Sequence, residues 1–212
     1  MVMLACHGVY DAAQDRFYAE HDEDRPIYEA QLAYALSHVR WRAEAAPWLI
    51  ISGGMTKAQP YSESRSYLDL ALKLGLKLPE RLACEEYSLT SIENVLFSLF
   101  VFLQLTGAFP ETIEVISWEF KRLRFERTLE ALNRWTPLGQ TWPGLSFFPV
   151  GDLWGPAKAA ALEVERDYIE SLEQGIEAYY RNERIQAVLR RRDLHQARIR
   201  ARQLFADYPL PF

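Results

Sequence analysis

The chain has 212 residues, 49% of them hydrophobic and 25% charged, and carries a net charge of −5. This composition suits one large globular unit with a real core, and the acidic balance gives no global preference for nucleic acid or an anionic membrane, so no DNA partner is expected. The two cysteines, Cys6 and Cys84, each stand in an apolar setting, which argues against a disulfide framework or a paired-cysteine metal site.

Residues 2–6 form a short apolar run ending at His7-Gly8, which reads as a strand and a tight turn. The opening lacks a basic segment and is too short for a signal peptide. No run approaches the roughly 18 apolar residues of a membrane span. The expectation is an intracellular, cytoplasmic protein. Residues 8–25 are polar and irregular, with acids at Glu20, Asp22, Glu23 and Asp24, and read as a long loop or lid.

Pro26 opens a helical pattern that runs to about Ala45, with Ile27, Ala30, Leu32, Ala33, Leu36 and Val39 at helical spacing. Residues 48–52 form an apolar strand that stops at Ser52-Gly53-Gly54, followed by Met55-Thr56-Lys57. Adjacent glycines allow close backbone approach. Amide N–H groups beside a lysine suit an anion, although the run is neither a dinucleotide fingerprint nor a Walker motif. The bland alternative is an ordinary glycine turn.

Residues 62–75 read as a helix ended by Gly75. Ser62 fits its cap, and Glu63 is either favoured by the helix dipole or turned into a ligand crevice. Residues 81–84 suggest a short strand, and residues 91–106 a buried helix. Thr90 and Glu93 form a capping-box pattern. Ser91 and Asn94 at the same helix start are candidates for ligand contact, since a buried amide in an apolar helix needs partners.

Residues 112–118 are β-branched and strand-like. Glu119, Lys121 and Arg124 follow at once, at the start of an arginine-rich helix over 120–134. Lys121 and Arg124 share one face. Cations there oppose the helix dipole, a conflict that a bound anion would remove. A solvated basic helix is the simpler alternative.

Residues 145–150 suggest another strand, with Pro149 placing it near a sheet edge. From Pro156 to about Phe205 the chain reads as helical and carries many arginines, among them Arg181, Arg184, Arg190 and Arg198. They fit a solvated or internally paired face, or a surface for an interaction partner. Strands alternating with helices imply an α/β fold. The expected form is a Rossmann-like three-layer sandwich over residues 1–150, with a mainly parallel sheet of about five strands. A helical C-terminal extension over residues 151–212 packs on it.

Several stretches together are familiar. Ile51-Ser52-Gly53-Gly54, Ser62-Glu63-Ser64, Glu86 through Asn94, and Ser117 through Arg124 resemble the YdcF-like family, also called domain of unknown function 218, over roughly residues 2–150. Ala5 through Tyr10, Ser66-Tyr67, Phe97-Ser98, Thr106-Gly107 and Glu119-Phe120-Lys121-Arg122 look more like its eukaryotic, largely fungal branch. The chain departs from the family at Thr128, at or beside which a histidine is usual in that branch. The family's late Gly-Glu and Asp-Pro-Tyr-Gly signatures are also not recognisable. The resemblance implies a Rossmann-like fold with a pocket at the strand carboxyl ends, and S-adenosylmethionine as a possible cofactor.

The functional expectation is an enzyme, hydrolase or group transferase, acting on a small phosphorylated or nucleotide-like anion. Ser52, Gly53, Gly54, Thr56, Lys57, Ser91, Asn94, Lys121 and Arg124 would bind it. His7, Glu63, Glu93 and Glu119 are the acid–base candidates, and no metal-ligand spacing is visible. The alternatives are a module that binds S-adenosylmethionine or a nucleotide without turnover, and an interaction protein using the arginine-rich tail.

Overall fold

A computed structural model describes residues 1–18, 22–42, 45–56, 61–135, 141–190, 194–208 and 210. Strands β1 (Val2–Ala5), β4 (Leu49–Ser52), β5 (Leu82–Glu85), β6 (Thr112–Ser117) and β7 (Gly144–Pro149) form a parallel sheet in the order β5-β4-β1-β6-β7. The fold is α/β with Rossmann-like topology. Pro149 ends β7, an edge strand, where a missing N–H costs no ladder bond.

The alternation of β1 divides the core. Val2, Leu4 and Cys6 pack with α1 (Arg25–Trp41) and α2 (Glu63–Lys73) on one face. Met3 and Ala5 pack with α3 (Ser91–Thr106) and α4 (Arg122–Arg134) on the other. A strand covered on both faces must be apolar throughout, as residues 2–5 are.

The expected loop at 8–25 contains a small antiparallel hairpin, β2 (Tyr10–Asp11) with β3 (Arg16–Phe17). Tyr10 and Phe17 are buried there against Tyr28 of α1 and Tyr67 of α2. Asp15 turns the hairpin at φ +53° and accepts from the Tyr10 hydroxyl at 2.7 Å. It also pairs with Arg25 and Lys73.

The C-terminal region is not one helix. It comprises α5 (Gly155–Glu173), α6 (Ile176–Arg181), α7 (Glu183–Arg190) and α8 (Leu194–Leu204). Gly175, at φ +116°, breaks α5 from α6. Asn182 ends α6 and accepts at Oδ1 from the amides of Arg184 and Ile185, capping α7. These helices share one hydrophobic cluster with α3 and α4, through Tyr168, Leu172, Tyr179, Ile185 and Ala201, joined by Phe205 just past α8. No helix among the described residues is long and apolar enough to cross a membrane.

Several tail arginines pair within the chain. Arg181 meets Glu177, Arg184 meets Asp167, and Arg198 reaches Glu93 at 2.6 Å. The Glu93 side chain is fully buried, and its other contacts come from the Leu89 amide at 2.6 Å and the Tyr180 hydroxyl at 2.8 Å. A fully desolvated carboxylate so placed ties α8 and α6 to the start of α3. Removing one partner of a buried pair leaves an uncompensated charge. Glu93→Ala and Arg198→Ala are each expected to cost about 3–5 kcal/mol in urea denaturation, with the double variant costing clearly less than the sum. Strict additivity would show that the two side chains do not act as a pair.

Candidate functional site

The sheet order places a topological switch between β1 and β6. The chain leaves β1 through α1 toward β4, and returns from β5 through α3 to β6 on the far side of β1. The connections diverge there and leave a crevice beyond the strand carboxyl ends. The segments that follow these two strands carry His7 and Lys121.

A cavity of about 410 Å³ occupies this crevice. His7, Cys6, Gly53, Thr56 and Glu63 line it from the β1, β4 and α2 side. Ser88 through Ser91 and Asn94 line it from the start of α3, and Lys121 and Arg124 from the start of α4. The C-terminal helices close it with Ala161, Val164, Glu165, Tyr168, Tyr179, Ile185 and Val188. Chain segments from both ends of the sequence therefore build one chamber.

A single turn of 3₁₀ helix over Glu119–Lys121 swings Lys121 inward, and its side chain is buried. Lys121 Nζ lies 2.9 Å from His7 Nδ1. An ammonium has donors and no acceptor, so Nδ1 accepts and the ring proton stands on Nε2. Arg124, one turn on, is 8% exposed. It lies 3.1 Å from Glu165 of α5 and stacks its guanidinium over Tyr168 at 5.2 Å. The ion pair is not aligned as a hydrogen bond, so Arg124 Nε and Glu165 Oε2 have no hydrogen-bond partner among the described residues.

Glu63 opens α2, with Ser62 as cap accepting from the Arg65 amide at 3.1 Å. Glu63 is also buried and lines the cavity. Its Oε1 accepts from the Thr56 hydroxyl at 2.5 Å.

The glycine turn has a different task from the one its composition suggests. The Gly53 amide donates to the Glu85 carbonyl at 3.0 Å and the Gly54 amide to the Ser88 carbonyl at 2.9 Å. These N–H groups are spent inside the fold and cannot cradle an anion. The glycines are required by space. A Cβ on Gly54 would lie 2.3 Å from the Ser88 carbonyl oxygen, and one on Gly53 would lie 2.8 Å from Glu63 Cβ. Lys57 lies outside the described residues.

Ser52 and Asn94 belong to a network around Glu85, a residue that sequence reasoning passed over. The Ser52 hydroxyl donates to Glu85 Oε2 at 2.6 Å. The Tyr87 and Ser88 amides donate to Glu85 Oε1 at 2.6 and 2.9 Å. The Asn94 amide donates to Ser52 Oγ at 2.9 Å and to Ser88 Oγ at 2.8 Å. This answers the question of what satisfies an amide in an apolar helix: it stitches the β4 end to the start of α3. Asn94 and Ser88 still show a face to the cavity, whereas Ser52 and Gly54 lie behind it.

Two of the acid–base candidates do not reach the chamber. Glu93 is committed to Leu89, Tyr180 and Arg198. Glu119 points to the surface, where Arg122 holds it at 2.9–3.2 Å. Neither lines the cavity. Thr90 and Ser91, at the first turn of α3, do. Among the described residues no group of three His, Cys, Asp or Glu could hold a metal ion. Glu165, Tyr168 and Tyr179 escaped sequence reading because only the packing of α5 and α6 brings them to the strand ends.

Comparison of the chain with protein-family models, curated proteins and solved structures gives no match.

Burial pushes the Glu85 carboxyl up to about 7, from an ordinary 4.5, against the opposing hydrogen bonds from Ser52, Tyr87 and Ser88. The folded protein keeps this proton over a range where the unfolded chain has lost it. The group's stabilisation is complete below about pH 4.5 and is lost as pH rises through about 7. Glu85→Gln carries no titrating proton. Its stability relative to the native protein should rise across that window in denaturant melts; a difference independent of pH would exclude a raised Glu85.

Proposed function

We propose that the cavity binds a small phosphorylated or nucleotide-like anion and that the protein is an enzyme, of hydrolase or group-transfer type, acting on it. The observation that carries this reading is Arg124. Its guanidinium is buried, lines the cavity, and makes no aligned hydrogen bond among the described residues. A guanidinium has five donors in a fork that matches phosphate and carboxylate oxygens. Lys121, buried on the same wall, supplies a second positive charge. The first turn of α3 adds its dipole.

His7 and Glu63 then have distinct roles. His7 Nε2 carries a proton, held in that tautomer by Lys121, and suits hydrogen bonding to the charge that develops on a leaving oxygen. Glu63 has one oxygen occupied by Thr56, which orients the other as a base toward a water or an acceptor hydroxyl. Membership of the YdcF-like family is part of the proposal. It is supported by the Rossmann-like topology and by the gathering of Glu63, Asn94, Lys121 and Arg124 around one chamber.

A second reading is favoured by one observation. Glu93 and Glu119 are engaged elsewhere, which leaves acid–base work to His7 and Glu63 alone. Under that reading the protein binds a nucleotide or S-adenosylmethionine without turnover.

Thermal melts over inorganic phosphate, sugar phosphates, nucleotides and S-adenosylmethionine test both. A ligand at about 100 times its dissociation constant adds about 2.7 kcal/mol, or roughly 5–10 °C for a chain of this size. Lys121→Met should weaken a binder about 10- to 100-fold, the worth of a charged hydrogen bond. So should Arg124→Ala combined with Glu165→Ala, which avoids stranding a buried carboxylate. Unchanged affinity in both variants would reject the anion site. For any ligand that is turned over, His7→Ala and Glu63→Gln should lose product formation while retaining affinity. Retained turnover in both would remove these residues from the chemistry.

A further inference from the structure

The cavity has two chemically distinct halves. One half, at the strand ends, carries the charged groups Lys121, Arg124, His7 and Glu63, with Leu89 and Phe120 among them. The other is built by α5 and α7 and presents Ala161, Val164, Ile185 and Val188, with Leu153 beside them. The Arg124–Glu165 pair and the ring of Tyr168 mark the border. From α5, α6 and α7 the wall contributes no amide and no aliphatic hydroxyl; its polar groups are the phenols of Tyr168 and Tyr179, at the border and on α6, and one carboxylate, Glu165, that faces Arg124.

A sugar or nucleoside body needs several hydrogen-bond partners, and burying its hydroxyls against valine and isoleucine leaves them unpaired. A hydrocarbon body gains from the same wall in proportion to its buried area. We infer that the ligand is an amphiphilic phosphate monoester, its anion held by Lys121 and Arg124 and its compact hydrocarbon body seated on α5 and α7. This rests on the anion-site reading above and narrows it, since it ranks hydrocarbon esters above sugar phosphates and nucleotides. The chamber, at about 410 Å³, limits the body to a short chain or a single ring.

Titration calorimetry of the full chain with inorganic phosphate, glycerol phosphate, ethyl, butyl and hexyl phosphate, phenyl phosphate and adenosine monophosphate decides the matter. Hexanoate, added to the series, separates a phosphate site from a general carboxylate site. Affinity should rise from phosphate through hexyl phosphate by about fourfold per buried methylene, and phenyl phosphate should exceed glycerol phosphate. Hexanoate should bind more weakly than hexyl phosphate. Val188→Asn and Ala161→Phe, both at partly exposed positions, should flatten the alkyl series, the first by adding a polar group and the second by filling the apolar half.

Measurable phosphate binding with a flat alkyl series overturns the inference and leaves the anion site standing. So does tighter binding of glycerol phosphate or adenosine monophosphate than of hexyl phosphate. Hexanoate equal to hexyl phosphate overturns the phosphate assignment. No binding by any member, inorganic phosphate included, removes the anion site and this inference together.

Discussion

The Glu85 carboxyl joins the ends of β4 and β5 to the loop that starts α3. It accepts from the Ser52 hydroxyl and from two successive amides, and Ser52 passes the connection to Asn94. Burying an acid is costly unless its oxygens are bonded. Here both oxygens are bonded, and the residual cost appears as the raised carboxyl titration. The same network brings the Ser88 carbonyl against Gly54 so closely that no side chain fits. The floor of the cavity is thus set by a hydrogen-bond network and by a steric limit, not by loop chemistry facing a ligand.

Much of the fold is readable because its signals are local. The apolar run 48–52 and the β-branched run 112–117 can only be buried strands once helices flank them. The helix over 91–106 matches its pattern, with Thr90 as cap and Gly107 in the left-handed conformation as stop. The hairpin at 10–17 was not readable, since each strand has two residues and is stabilised by rings of Tyr28 and Tyr67 from distant helices. The breaks in the tail were marked in the chain, by Gly175 and by Asn182, but in a helix-rich region neither residue declares itself without its partners.

The sequence places both cations on the cavity wall, but of the four acid–base candidates only His7 and Glu63 reach it. Helical spacing puts Lys121 and Arg124 on one face, and both reach the chamber. Glu63, Glu85 and Glu93 all stand beside turns or helix starts and look alike in sequence. They diverge through partners far along the chain. Glu93 is claimed by Tyr180, 87 residues on, and Glu85 by Ser52, 33 residues back. Glu63 keeps a place on the cavity wall because, among the described residues, its side-chain partner Thr56 engages a single oxygen. A carboxylate's role here depends on how many of its oxygens the fold consumes, which no short motif encodes.

The conflict between cations and the start of α4 has a partial resolution within the chain. Glu165 faces Arg124, so the guanidinium is not left as a lone buried charge. The pair is close without being aligned, which neutralises charge while leaving donor capacity unspent. Such an arrangement balances the buried charge within the chain and leaves donors that the proposed anion would engage through directed hydrogen bonds. It also makes α5 part of the site rather than an appendage. The helix that supplies Glu165 supplies Val164 and Ala161 as well, so the charge balance of the polar half and the surface of the apolar half are fixed by one rigid element.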